Sequence, residues 1–195
     1  MTQTICIIDG HPDPDPARLC RALADAYAEG ALSAGYDVTR INIWELTIPH
    51  LEKNADFLTP PAEPLLSERE KISAADHIVI LFPLWLGGMP SKLRAFFEQA
   101  ARGGFFLADP EKAGDWPRKM MAGKSARVVI TMGMPGSVYR VLMDAGSLKA
   151  LERGILGISG FRPVRHTILG GAGDISSERF HGWKSQMWEL GHSAA

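Results

Sequence analysis

The sequence predicts an α/β protein built on a five-stranded parallel sheet, with strand order 2-1-3-4-5 and helices on both faces. Short apolar runs alternate with stretches of helical periodicity along the 195 residues, and there are five such runs. The runs are apolar throughout, which is typical of strands that are buried on both faces. We expect a single domain, 1–195, because a chain of this length can bury one substantial core.

The five strands are not all predicted equally clearly by the sequence. They cover Thr4–Asp9, Asp37–Ile43, His77–Phe82, Ala126–Thr131 and Pro163–Leu169. The third is the strongest, because it is rich in β-branched residues and apolar on both faces. Five parallel strands joined by helices fit a doubly wound sheet, in which ligands bind at the carboxyl ends of the strands.

Helices are expected between these strands. Asp15 suits the N-cap of the first helix, Pro16 suits its first turn, and a glycine at position 35 ends it. Ser67 and Glu70 have the spacing of a capping box and predict a short second helix. The remaining predicted helices are Ser91–Ala101, Ser147–Ile158 and Ser177–Leu190, and 103–119 is expected to be irregular.

Composition argues against several classes of protein. Lys and Arg total 21 against 22 for Asp and Glu, so no basic excess predicts a nucleic-acid or membrane-surface partner. No apolar run approaches about 18 residues, and we expect no stable membrane insertion. There is no apparent secretory leader, and two cysteines make neither a disulfide framework nor a metal site. We therefore expect a reduced, cytoplasmic chain.

Three loops should meet at the carboxyl edge of the sheet, where the winding reverses between strands 1 and 3. The first, 10–18, precedes a helix N-terminus, where amides and the helix dipole favour an anion. A phosphate cradle is one interpretation, with Arg18 as a cation. A proline-rich turn capped by Asp15 is the other, since that carboxylate would repel a phosphate.

The second and third loops carry apolar and small residues. In the loop 83–90, Trp85 and Leu86 would form a hydrophobic wall, and the glycines that follow would let the backbone approach a flat ligand. The alternative is a core plug followed by a turn. In the loop 131–139, glycines free backbone amides, and Tyr139 adds a hydroxyl or is an ordinary half-buried tyrosine.

These loops match a known pattern. It consists of GHPD at 10–13, FPLWLGGMPSKL at 82–93 and TxGxxGSxY at 131–139, with GIL at 154–156 and GF at 160–161 before the last strand. In these segments the chain resembles the flavodoxin-like NAD(P)H:quinone oxidoreductases, the NAD(P)H dehydrogenase (quinone) family. The resemblance spans nearly the whole chain, and the segment 82–93 is the most specific part.

The resemblance implies a flavodoxin-like, flavin-binding homodimer that passes a hydride from NAD(P)H through the flavin to a quinone or similar aromatic acceptor. It implies that Tyr139 is catalytic, stabilising negative charge on the reduced cofactor, and it implies no metal. The cofactor-binding residues it implies are His11, Arg18, Pro83, Leu84, Trp85, Leu86, Gly87, Thr131, Gly133, Gly136 and Tyr139.

The chain departs from the family pattern in the first loop, where Asp15, Pro16 and Ala17 replace small, donor-rich residues. The charge of Asp15 would disfavour the dianionic phosphate of FMN more than the pyrophosphate of FAD, so we expect FAD, with FMN as the alternative. The departure also leaves a second function open. The chain could be a regulatory (ancillary) subunit of a membrane cation-efflux system, with little turnover.

Overall fold

The computed structural model describes residues 2–110, 112 and 114–195. Its strands are Thr4–Asp9 (β1), Asp37–Asn42 (β2), His77–Pro83 (β3), Leu107–Ala108 (β4), Arg118–Lys119 (β5), Ser125–Met132 (β6) and Val164–Gly170 (β7). Its α-helices are Leu19–Ser33 (α1), Leu65–Ala74 (α2), Ser91–Ala100 (α3), Gly136–Leu142 (α4), Gly146–Leu151 (α5) and Ser177–His192 (α6), and a π-helical turn, Glu152–Gly157, extends α5.

The main sheet has five parallel strands in the order β2-β1-β3-β6-β7, which confirms the predicted topology. Strand β1 pairs with β2 on one side and with the central strand β3 on the other, so that Ile7 lies beside Arg40 and Val79. The order reverses between β1 and β3. Their carboxyl ends therefore diverge into loops that leave a crevice between them.

Two apolar cores cover the two faces of this sheet, because successive side chains of a strand point to opposite sides. On one face, Ile5 and Ile7 pack with helices α1 and α6. On the other, Cys6 and Ile8 pack with α2, α3 and α5. Helices α1 and α6 approach closely: a Cβ at Gly30 would lie 2.0 Å from the Trp188 carbonyl oxygen.

The structure corrects two predicted helix starts. Helix α1 begins at Leu19 with Arg18 as its N-cap, so Asp15 is not the cap. Alternating prolines and side-chain bonds keep 11–15 out of the helix, and a turn at 16–17, in which the Arg18 amide donates to the Asp15 carbonyl at 3.2 Å, leads into α1. Helix α2 begins at Leu65, and Ser67 lies inside it. Its hydroxyl donates to Glu63 Oε2 at 2.7 Å, so the predicted capping box is wrong.

Three elements were not expected. The stretch predicted to be irregular contains the antiparallel pair β4 and β5, in which Leu107 lies opposite Lys119. Helix α4 begins inside the third loop, so Gly136 and Tyr139 are helical. Among the described helices, none is both long enough and apolar enough to cross a membrane.

Candidate functional site

The loops after β1, β3 and β6 open onto one cleft of about 260 Å³ at the reversal of the sheet. Its lining residues are His11, Leu19, Cys20, Pro83, Leu84, Trp85, Thr131, Met132, Gly133, Ala172 and Gly173. A larger cavity of about 570 Å³ lies beside Phe57, Phe106 and Leu107. The smaller cleft is the candidate site, because it lies where the carboxyl ends of the strands converge.

The first loop satisfies its own backbone. The amide of His11 donates to Asp9 Oδ1 at 3.1 Å, and that of Asp13 donates to His11 Nδ1 at 3.1 Å. The amide of Asp15 donates to Asp13 Oδ1 at 3.0 Å, and that of Ala17 to Asp15 Oδ1 at 2.9 Å. The residues between them are prolines, which have no amide N–H. Side chains of the loop thus take the amides that a phosphate cradle would need.

His11 is held as a neutral hydrogen-bond donor. Burial lowers its pKa, against the opposing charges of Asp9 and Asp13. Because Nδ1 accepts the Asp13 amide, the proton of the neutral ring is assigned to Nε2. The ring meets Trp85 edge-on, with centroids 5.7 Å apart and planes at 84°. The first and second loops therefore touch through these two rings.

Arg18, in the first loop, is ion-paired, whereas Arg21, in α1, is only partly paired, since its buried Nη2 has no hydrogen-bond partner among the described residues. The Arg18 guanidinium lies 2.6 Å from Asp13 Oδ2 and 3.3 Å from Asp15 Oδ2, at the exposed rim. The Asp13 carboxylate accepts a bond from the Asp15 amide and lies beside Arg18, and both hold the pKa of Asp13 below its usual value. Arg21 donates to the Pro14 carbonyl at 3.0 Å. The Arg21 Nε lies 3.8 Å from buried Asp9, whose pKa desolvation raises.

The second loop is a tight turn with an apolar tip. Trp85 and Gly88 exchange backbone hydrogen bonds of 2.9 Å, and the two residues between them have positive φ, 48° at Leu86 and 77° at Gly87. Two left-handed central residues define a type I′ geometry, which favours Asn and Gly and strains a leucine. The Leu86 side chain is fully exposed and that of Trp85 is half-exposed.

The third loop supplies the floor of the cleft. Thr131 is buried, and its Oγ1 lies 3.5 Å from Cys20 Sγ. A Cβ at Gly133 would meet no other atom within 4 Å, so the floor is open there. At Gly170, a Cβ would lie 2.3 Å from the Gly136 amide nitrogen. This close approach fixes the start of α4 against the end of β7.

Tyr139 lies away from the cleft lining. Its side chain is fully buried, and its hydroxyl accepts the Leu148 amide at 3.1 Å. The bond joins α4 to α5 inside the core. The catalytic role that the resemblance implies for Tyr139 stays a prediction.

The structure brings together about half of the predicted site residues. His11, Pro83, Leu84, Trp85, Thr131 and Gly133 line the cleft, whereas Arg18, Leu86, Gly87, Gly136 and Tyr139 are not among its lining residues. Sequence reasoning missed Ala172 and Gly173. They follow the last strand of the sheet, so the rule that selected the other three loops would have found them. It also missed Cys20, which reaches the cleft from the first turn of α1.

The cleft fits one half of the flavin that the resemblance implies. Trp85, Leu84 and Met132 offer apolar surface, and the open position at Gly133 lets backbone approach a flat ring. The first loop does not fit the phosphate end, because its amides are occupied and its outer carboxylates are half-exposed.

The fold and the cleft together define a flavodoxin-like protein. The model of the family described as having a flavodoxin-like fold matches residues 3–189, and the chain belongs to this family. Two of its relatives are NAD(P)H dehydrogenase (quinone) 1 of Rattus norvegicus and an FMN-dependent NADH:quinone oxidoreductase of Alteromonas mediterranea.

The similarity to these relatives is partial. The rat protein is 26% identical over 136 residues, which cover 64% of this chain and 48% of the relative. The Alteromonas protein is 30% identical over 108 residues, covering 49% of this chain and 52% of the relative. The chain thus spans about half the length of the curated relatives it matches.

Solved structures show the same fold over the whole chain. The NAD(P)H:quinone oxidoreductase from Methanothermobacter marburgensis superposes with a TM-score of 0.80 at 19% identity, covering 100% of both chains. An FMN-dependent NADH-azoreductase from Bacillus anthracis, solved in complex with FMN, gives 0.75 at 17% identity and also covers 100% of both.

Proposed function

We propose that this chain is a flavin-dependent NAD(P)H oxidoreductase that acts on quinones or similar small aromatic acceptors. The observation that carries the proposal is the cleft at the sheet reversal, where an apolar wall, an open glycine floor and a neutral His11 donor meet. The names of the relatives support it, since they are quinone oxidoreductases and an azoreductase. These are names of enzymes, which favours catalysis over the ancillary-subunit alternative.

The protein's own contribution would be to bind and orient. A flavin, when bound, supplies the hydride chemistry, taking a hydride from NAD(P)H and passing it to the acceptor. Trp85 and Leu84 would exclude water from one side of the cleft. His11 would donate from Nε2 to an oxygen within the cleft, because its Nδ1 is already engaged by the Asp13 amide.

Of the two flavin nucleotides, we propose FMN. Two of the proteins named above are FMN-dependent by name. The sequence-based preference for FAD depended on the charge of Asp15 and on its expected place at the N-cap of the first helix, where it would compete with a phosphate for the helix amides. The N-cap part of that premise is wrong, because α1 begins at Leu19 and the Asp15 carboxylate accepts the Ala17 amide instead.

We propose that two copies associate through an apolar patch beside the cleft. The patch consists of Leu86, Val141, Leu142 and Met143, all exposed. Its two parts adjoin, because Met143 Sδ lies 3.8 Å from the Cβ position of Gly87. Exposed apolar surface of this kind favours an interface. Phe106, which the sequence also offers as a large apolar group near the site, is buried in the core of one chain and packs on Phe97 with ring centroids 6.4 Å apart, so it is not part of this patch.

Two measurements test the proposed activity. The purified protein is mixed with FMN and desalted, and its visible spectrum should retain the flavin bands. The loaded protein should then oxidise NADH or NADPH when a soluble quinone is added. Protein that retains no flavin, or that retains it without any turnover, contradicts the proposal. Light scattering at several concentrations tests the dimer, which a strictly monomeric mass at high micromolar concentration would contradict.

The variant Tyr139→Phe separates a catalytic role from a packing role. A catalytic hydroxyl predicts slower flavin reduction in stopped-flow experiments with NAD(P)H, by about 1–3 kcal/mol in barrier height. The observed bond predicts lower stability, by about 1–2 kcal/mol, since the buried Leu148 amide loses its acceptor. Unchanged hydride-transfer rates together with reduced stability would assign Tyr139 to packing.

We also propose that 1–195 acts as one flavin-binding domain in the cytoplasm. Its two cysteines, Cys6 and Cys20, are buried and unpaired, which suits a reducing compartment.

A further inference from the structure

The backbone of 10–18 can be accounted for completely. The Gly10 amide donates to the Leu81 carbonyl at 2.7 Å, and the Arg18 amide donates to the Asp15 carbonyl at 3.2 Å. Between them, four amides are taken by side chains of the loop and its preceding aspartate, and the other three positions are prolines. The loop therefore has no backbone N–H left for a ligand.

The same sequence makes the loop difficult to rearrange. Each proline fixes its own φ, and each residue before a proline is biased towards extended backbone. Prolines at alternate positions apply both restrictions to the whole stretch 11–16. A phosphate-binding concavity needs successive amides that converge on one point, and a stretch that has no amide N–H at every second position cannot provide it.

The charges of the first loop at the outer rim of the cleft also disfavour a phosphate. Two half-exposed carboxylates, Asp13 and Asp15, share one guanidinium, that of Arg18, and leave a net negative charge there. His11 adds no positive charge at neutral pH, because burial lowers its pKa. The remaining amides at this edge begin with Leu19 in α1, and Arg18, which precedes them, is already bound by the two carboxylates.

We propose that the cleft recognises the ring and ribityl chain of a flavin but not its terminal phosphate, so that riboflavin binds about as tightly as FMN. This inference rests on the proposed function and narrows it to a ligand class, the flavins irrespective of phosphorylation. The specificity-determining residues are Asp13 and Asp15, which occupy the amides and set the charge of the rim.

The test is a titration of flavin-free protein with riboflavin and with FMN, followed by quenching of flavin fluorescence. The two dissociation constants should agree within about tenfold at low ionic strength, where repulsion of the phosphate is least screened. FMN binding more than about tenfold tighter overturns this inference alone. Failure of both flavins to bind overturns the proposed function as well.

Two variants separate charge from amide occupancy. Asp15→Asn removes the charge but keeps an oxygen for the Ala17 amide, and we expect FMN affinity to rise about threefold. Asp15→Ala also frees that amide, and the gain for FMN should reach about tenfold. Riboflavin affinity should change in neither variant.

Asp37→Asn is the matched control, because it removes an exposed carboxylate at the start of β2, at the other end of the sheet. It should leave both affinities unchanged, and thermal unfolding checks that all three variants fold. An Asp15→Ala protein that binds FMN no better than wild type overturns the role assigned to this loop.

Discussion

Two loops at the same edge of the sheet differ in which of their groups are left without a partner. The loop 10–18 is polar, and its own side chains satisfy its backbone. The loop 83–90 is apolar, holds Leu86 in a left-handed conformation and exposes it fully. They meet where the His11 ring packs edge-on against Trp85.

The difference shows which loop is available to other molecules. A loop whose polar groups are already paired gains little from a ligand, since binding exchanges one bond for another. A loop that exposes large apolar groups gains free energy when they are covered. Its backbone strain is tolerated because the paired hydrogen bonds of Trp85 and Gly88 determine the turn. We therefore assign recognition of the flavin ring to the second loop together with His11, and exclusion of the phosphate to the rest of the first loop.

The largest expected effect comes from the glycine that opens the first loop. A Cβ at Gly10 would lie 2.7 Å from Leu93 Cδ2 and 2.9 Å from the Leu81 carbonyl oxygen. Gly10→Ala should lower the free energy of unfolding by roughly 2–3 kcal/mol, as overpacking does. In the second loop, Gly88→Ala meets its nearest atom at 3.8 Å and is the matched control. Urea denaturation measures the free energy of unfolding of both variants. Equal losses of stability at Gly10 and Gly88 would contradict the proposed difference between the two loops.

Trp85 tests the assignment of recognition to the second loop. Its side chain is half-exposed, so Trp85→Ala should cost little stability. It should weaken flavin binding by about tenfold, because an aromatic wall is lost, whereas Trp85→Phe should keep most of the affinity. Fluorescence titration measures both. If Trp85→Ala bound flavin as tightly as wild type, the flavin ring would not lie against Trp85.

Leu86 tests whether the second loop stores strain. Asparagine tolerates positive φ better than leucine, so Leu86→Asn should raise the free energy of unfolding by about 0.5–1 kcal/mol. Leu142→Asn is the control: it also removes an exposed leucine from the patch, but from within helix α4. Thermal unfolding should show a gain only at position 86. Light scattering should show weaker association for both.

The smallest effect is a pH response confined to the first loop. Burial lowers the pKa of His11 below its ordinary value of 6.5, so the folded chain favours the neutral ring. The bond from the Asp13 amide is therefore present above that value and is lost as the pH falls through the folded pKa, because protonated Nδ1 cannot accept it.

Amide exchange measured by NMR checks this response. Protection of the Asp13 amide should fall on acidification, while that of the Trp85 amide, which donates to a carbonyl at 2.9 Å, should not follow it. In His11→Asn, the side-chain oxygen can still accept but does not titrate, so the pH dependence should disappear. Parallel loss at both amides would indicate general unfolding.

The strands and their order could be predicted because their signals are local. Each strand is a continuous apolar run, and the structure reproduces the five with shifts of at most a residue or so at their ends. The position of the cleft follows from the topology, since the carboxyl ends on either side of a reversal must diverge. His11, Trp85 and Thr131 were found in this way.

The sequence by itself thus determined the sheet, the edge that carries the cleft and the alternating prolines of the first loop. Only the tertiary structure decided which groups face that cleft. Asp15 caps no helix, because its carboxylate reaches Ala17, and the Tyr139 hydroxyl is buried against Leu148. A hydroxyl or carboxylate bonds whichever donor the folded chain brings within about 3 Å, and residue type does not specify that donor. The apolar pattern of a sequence shows which side of an element is buried. That is enough to predict a strand, but it does not specify which polar groups will meet in a binding site.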